Sequence, residues 1–187
     1  MRNGQTNSSH ALLPLSRALT TDRNMSNSLK HTFVTSDHHF GSWQNFDFLK
    51  VFSKEQEKEL IAKWNSVVGK DDIVYYNGDF CDCNFLEMRE YFKQLNGHII
   101  LVRGNHDQFS DGIYKAVFDD VVDYVVLDDL GIVINHCPKD VDGAKEVYGH
   151  VHREGEEALK KHKGFCSCVQ FNDGYPVSLE KIVLALR

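Results

Sequence analysis

No apolar run in this chain approaches the ~20 residues needed to cross a bilayer, so a membrane span is not expected. A basic surplus is missing as well. The formal net charge is −6, with acidic residues spread along the chain rather than held in a tail, whereas a non-specific nucleic-acid binder normally shows a basic stripe. Phosphate-bearing substrates stay open despite that acidity, because bound metal ions would supply local positive charge. Nor is there a disulfide framework: five cysteines is an odd number. Two pairs, Cys81/Cys83 and Cys166/Cys168, are spaced C-x-C, tighter than the C-x₂-C usual for structural zinc. Reduced thiols in a cytoplasmic protein are the expectation, and Cys137 is read as a small buried side chain. Internal repeats, low-complexity blocks and a convincing domain boundary are absent too.

What remains suits one globular domain: 187 residues, 42% hydrophobic and 26% charged, enough to bury a core. The first thirty residues differ, being rich in Ser, Asn and Thr with Asp22 as their one acid. Their apolar patch, 11–15, is too short for a signal-peptide core. Residues 1–30 are therefore expected to be a mobile, dispensable extension, with Met25 a plausible alternative start and residues 31–187 a single domain.

From residue 31 onward, short apolar runs alternate with helical patterns. Strands are predicted at 31–36, 73–76 and 98–102. A helix over 54–68 carries apolar residues at 60, 61, 64, 67 and 68, with Gly69 as its stop, and a second helix covers 85–95. This order implies parallel pairing with right-handed crossovers. The second half is richer in strands: 121–127 and 132–135 around a turn at 128–131, 147–148, and 165–171. Ser178 is placed to cap a closing helix. Two sheets face to face, with helices outside, would use all of these elements.

Five short motifs punctuate this pattern: TSDHHFG (35–41), NGDF (77–80), RGNHDQ (103–108), INHCP (134–138) and YGHVHR (148–153). They present Asp37, His39, Asp79, Asn105, His136, His150 and His152, oxygen and imidazole donors in an order that two adjacent metal ions could share. Asp37, Asp79 and Asn105 each end a predicted strand, where ligand groups gather in parallel sheets. A lone D-x-H or H-x-H is weak evidence; five motifs in order are not. His38 is expected to face away from the site by alternation along an extended segment. His10, His31, His98 and His162 have no motif context.

The motifs resemble those of the calcineurin-like metallophosphoesterase superfamily, whose pattern runs D-x-H, G-D, G-N-H-D/E, H, G-H-x-H. The closing segment GYPVSLEKI (174–182) is also similar to small bacterial and phage members. The resemblance implies an α/β fold, a four-layer α-β-β-α sandwich of two mixed sheets flanked by helices. It implies two divalent ions, with Asp79 bridging, Asp37, His39 and His152 completing one shell, and Asn105, His136 and His150 the other. Such a pair clamps phosphoryl oxygens and deprotonates a water lying between the ions. The donor set accepts manganese, iron, zinc, cobalt or nickel without choosing among them, and manganese is the ion expected to support activity in vitro.

By the same resemblance His106 is the general acid for the departing oxygen, with Asp107 orienting it. Arg103 and Arg153 are candidates to grip phosphate oxygens. Protein Ser/Thr phosphatases of the superfamily carry G-D-x-V-D-R-G. Here the stretch is GDFCDCN, with Cys83 where that arginine would stand, which argues against a phosphoprotein substrate. The expected activity is hydrolysis of a small phosphodiester or phosphomonoester, nucleotides included. A nuclease of the same superfamily is the alternative, and a scaffold that has lost its chemistry ranks below it. Stretches 40–48, 80–85, 109–114 and 139–145 are the candidate substrate walls, with Cys81 beside them. The partner expected is a small phosphoester, with no membrane and no strong nucleic-acid signal.

Overall fold

The structure is a computed structural model that describes residues 22–44, 52–140, 142–154 and 156–187. Strands β1 (Thr32–Thr35), β2 (Ile73–Tyr76), β3 (His98–Val102) and β4 (Asp120–Val122) pair in parallel, and β9 (Val177–Ser178) joins β1 antiparallel, giving the order β4-β3-β2-β1-β9. A second sheet, β5-β6-β7-β8, comprises Val125–Leu127, Ile132–Ile134, Lys145–Tyr148 and Phe165–Cys166. Its first pair is antiparallel and the other two are parallel. Two mixed sheets flanked by helices form the fold that the motifs implied.

Alternation along the first sheet builds two cores. Phe33, Val74, Tyr76, Ile99 and Leu101 face helices α2 (Lys54–Val67), α3 (Phe85–Phe92) and α4 (Asp111–Tyr114), meeting Trp64, Met88 and Tyr114. Val34, Tyr75 and Val102 point the other way, onto Ile134 and Val147 of the second sheet and Leu179 and Ile182 of α6 (Leu179–Ala185). The period-2 geometry of a strand makes one run of residues serve both layers. A short helix, α5 (Glu156–Lys161), follows the last motif. No helix among the described residues is long and apolar enough to cross a membrane.

Helix starts are set by side chains. Ser53 and Gln56 form a reciprocal capping box on α2, as do Asn84 and Glu87 on α3. Ser178 caps α6 by accepting from the Lys181 amide at 3.4 Å. Helix α2 ends without a left-handed glycine: Val68 is extended, and Gly69 instead donates its amide to Asp72 at 2.7 Å.

Three expectations are corrected. The predicted strand 121–127 is two strands in different sheets, because the chain leaves the first sheet after Val122 and enters the second at Val125. The predicted strand 165–171 keeps two residues and turns into a single 3₁₀ turn, Val169–Phe171. The supposed mobile extension is helical over α1 (Asp22–Lys30), with Leu29 packed on the inter-sheet core and Thr32 donating its hydroxyl to the Ser28 carbonyl at 2.9 Å. Residues 1–21, including His10, and 45–48 of one expected wall lie outside the described residues.

Candidate metal centre

Five loops leave the carboxyl ends of β1, β2, β3, β6 and β7, and these carry the five motifs. The sheets are joined at that end by polar side chains. Asn77 donates to the Asn135 carbonyl at 3.1 Å, and the Ser36 and Ser167 hydroxyls meet at 3.0 Å. The loops bend sharply. Asp37, His39, Asp79 and His150 all have positive φ, between 46° and 71°, a conformation that non-glycine residues adopt rarely and that recurs at functional sites. Glycines make the space: a Cβ on Gly78 would collide with His136, and one on Gly104 with the Asp79 carboxylate.

The structure brings all seven predicted donors into one cluster. Asp79 lies at its middle, with Oδ2 3.2 Å from His136 Nε2 and 3.6 Å from His39 Nε2. On one side are Asp37, His39 and His152, with ligand atoms within 4.8 Å of one another. On the other, Asn105 Oδ1 lies 3.0 Å from His136 Nε2 and 2.8 Å from His150 Nδ1. Backbone carbonyls and acids fix the ring orientations: His136 Nδ1 faces the Asn77 carbonyl at 2.8 Å, and His39 Nδ1 faces Asp82 at 2.9 Å. Each leaves Nε2 for the cluster, as metal-binding histidines do.

The donor set fits divalent cations. His39 Nε2 is buried and has no hydrogen-bond partner, although Asp37 and Asp79 face the same space. Burial disfavours a charged His136, yet its contact with Asp79 and the nearby Asp37 charge prevail and raise its pKa to about 9. Desolvation would raise Asp79, but His136 outweighs it and the carboxyl falls to about 2. The pocket therefore favours positive charge at its centre. His152, by contrast, is lowered to about 4 and His150 is lowered, chiefly by burial, which suits neutral imidazole ligands.

Other predicted residues are placed differently. His106 stands at the rim, its backbone N–H donating to Asp79 at 2.8 Å and its Nδ1 3.3 Å from Asp82. Asp107 does not orient it. That carboxylate is buried and accepts the amides of Asp79 (2.9 Å), Phe80 (3.1 Å) and Gly104 (2.8 Å), tying two motif loops together. Arg103 is also structural, donating to the Asp107 and Phe109 carbonyls and pairing with Asp111 over the Tyr114 ring. Arg153 lies exposed beside His152.

His38 does face away, with Nδ1 2.9 Å from the Tyr76 hydroxyl and its ring stacked on Phe40. The reason is different from simple alternation, since both neighbours are left-handed rather than extended. His31, His98 and His162 pair elsewhere with Asp72, Asp119 and Asp140. Phe40, Phe80, Cys81 and Tyr114 belong to the core rather than to a substrate wall. Cys137 is exposed, correcting the buried reading.

Asp82 is the residue that the sequence reading passed over. It follows Asp79 by three positions in GDFCD, a spacing that does not by itself mark an acid that meets two imidazoles. Gln170 was missed too; it donates to the Asp37 carbonyl at 3.0 Å, and nothing near it in the sequence signals that role.

The sequence profile described as Calcineurin-like phosphoesterase matches residues 30–165. An uncharacterized protein of Methanocaldococcus jannaschii is 37% identical over 91 residues, 45% of this chain and 51% of that protein, so the match spans about half of the relative's length. Among solved structures, a protein of unknown function from Aquifex aeolicus superposes with a TM-score of 0.64 at 28% identity, covering 82% of this chain and 98% of that one. With the profile spanning most of the chain and the motif loops converging, the chain belongs to the calcineurin-like phosphoesterase family.

Proposed function

We propose that this protein hydrolyses a small phosphodiester or phosphomonoester, nucleotides among them, at a pair of divalent ions. The observation that carries the reading is the convergence of seven donors from five loops, with the Asp79 carboxylate at their middle. Asp37, His39 and His152 would hold one ion, Asn105, His136 and His150 the other, with Asp79 reaching both. Bound ions of this kind neutralise phosphoryl charge and lower the pKa of water.

The chain's own groups do the rest. His106 is near enough to the cluster to give a proton to the leaving oxygen, its ring 4.9 Å from that of His39. Asp82 shares its carboxylate between His39 and His106, orienting a ligand and the proton donor together. Arg153, exposed beside His152, is the cation we assign to the substrate phosphate. The net charge of −6 supports a small ester over a nucleic-acid strand. Five free thiols support a reducing compartment such as the cytoplasm. Manganese is the ion we expect to sustain turnover in vitro.

The test is metal analysis of purified protein together with a panel of bis-p-nitrophenyl phosphate, p-nitrophenyl phosphate, nucleotides and single-stranded DNA. Two ions per chain and turnover of a small ester are expected. Salt-sensitive cleavage of DNA alone would make it a nuclease. Silence across several metals would make it a scaffold.

A further inference from the structure

The two seats of the centre differ in charge. Asp37 and the shared Asp79 serve the seat of His39 and His152. Across the cluster, Asn105, His136 and His150 are a neutral amide and two imidazoles; the carboxylates near them, Asp79 and Asp37, are those that also serve the first seat. A divalent ion in that second seat is short of negative charge by comparison.

A thiol outside that set also lies within reach. The Cys137 sulfur and a ring nitrogen from each of His136 and His150 all lie within 4.8 Å of one another. This thiol is exposed, whereas Cys81, Cys166 and Cys168 are buried and Cys83 is partly so. Its loop is held firmly. Asn135 donates its side-chain amide to the Cys137 carbonyl, and Gly149 donates its amide to the His136 carbonyl at 2.8 Å. Just beyond, buried Glu146 accepts the amides of Lys139 and Asp140, each at 2.9 Å. Pro138 further restricts the backbone of the cysteine that precedes it.

We propose that Cys137 is a further ligand of the second seat, its sulfur joining His136, His150 and Asn105 and making that seat selective for a thiophilic ion such as zinc. This rests on the dimetal reading above and adds to it. The sulfur coordinates as thiolate, and its proton passes to solvent. Thiolate with imidazole is a zinc-favouring set, while the Asp37 seat, with carboxylate and imidazole alone, remains suited to manganese. The centre is then a mixed pair.

Cobalt reports sulfur ligation directly, through a sulfur-to-metal charge-transfer band in the near ultraviolet. The protein is titrated with cobalt, and bound metal is counted by mass spectrometry. Wild-type protein is expected to bind two ions per chain and show the band. Cys137→Ser should abolish the band, and Cys83→Ser should keep it. The same Cys137→Ser change should weaken zinc at the second seat by at least about ten- to a hundredfold, the scale on which metal sites respond even to a lost partner of a ligand, and weaken manganese less. Two bound cobalt ions without a band, or a band that survives Cys137→Ser, overturn the ligation and leave the dimetal reading standing. Fewer than two cobalt ions bound to the wild type overturn both.

Discussion

Around Asp37 and His39 the centre is sealed, whereas around Asn105 and His150 it opens to solvent. In the sealed half, Asp82 holds the His39 ring, the Gln170 amide binds the Asp37 carbonyl, and the backbone N–H of His150 reaches across to the Asp37 carboxylate at 3.1 Å. In the open half, the Asn77 carbonyl orients only His136, and Asn105 and His150 bond within the cluster itself. A donor oriented by its surroundings loses little freedom on binding, so the sealed seat should hold its ion more tightly. The open seat should exchange its ion faster and admit the substrate.

The strongest way to break this contrast is to remove what both halves share. Asp79→Ala should lose both ions and lower turnover on the order of a thousandfold or more, since metals supply several kcal/mol of transition-state stabilisation. Metal analysis alongside kinetics checks it, and a variant that keeps two ions would refute the bridge. Next in size, His106→Ala should cut kcat by about 10²- to 10⁴-fold while both ions stay bound. An ion lost from that variant would make His106 a ligand instead.

The contrast sharpens at Asp82. Asp82→Asn should weaken the sealed seat by about ten- to a hundredfold and leave the open seat nearly unchanged, which calorimetric metal titration can resolve into two isotherms. Equal weakening of both would show that the seats are not independent.

The smallest expected effect is on stability rather than chemistry. Burial, aided by the neighbouring His39 charge, lowers the His38 pKa to about 3. The unfolded chain takes up that proton below about pH 6.5 and the folded chain does not. Stability is therefore fully present above pH 6.5 and lost as pH falls toward 3, by up to ~1.4 kcal/mol per pH unit. Denaturant unfolding of metal-free protein between pH 7 and 5 should give a shallower slope for His38→Asn than for wild type.

Much of this layout was readable from the chain. Strands 73–76 and 98–102 emerge at the expected bounds, because polar residues and turn glycines bracket each apolar run. The donors were readable for a related reason, since each motif follows a strand whose direction the alternating pattern fixes. Hydropathy did not reveal the break at 123–124, because residues that switch sheets remain apolar on both sides of the switch. Asp82, Asp107 and Arg103 escaped for another reason. Whether an acid meets a ring nitrogen or a backbone amide depends on how loops fold onto each other, and spacing carries no information about that. Asp107 and Asp82 were in effect exchanged: the acid next to His106 in sequence serves the backbone, and the acid 24 positions earlier serves the ring.

That arrangement at Asp107 has a practical consequence. A buried carboxylate sets how deeply the Asp79 and Gly104 turns sit against each other, and so sets the spacing of the donor side chains above it. A screen that scores turnover alone would file Asp107→Asn with the proton donors, although its injury is to the frame. A melting curve recorded beside the rate would tell them apart, because a damaged frame softens the whole molecule and a missing proton donor does not.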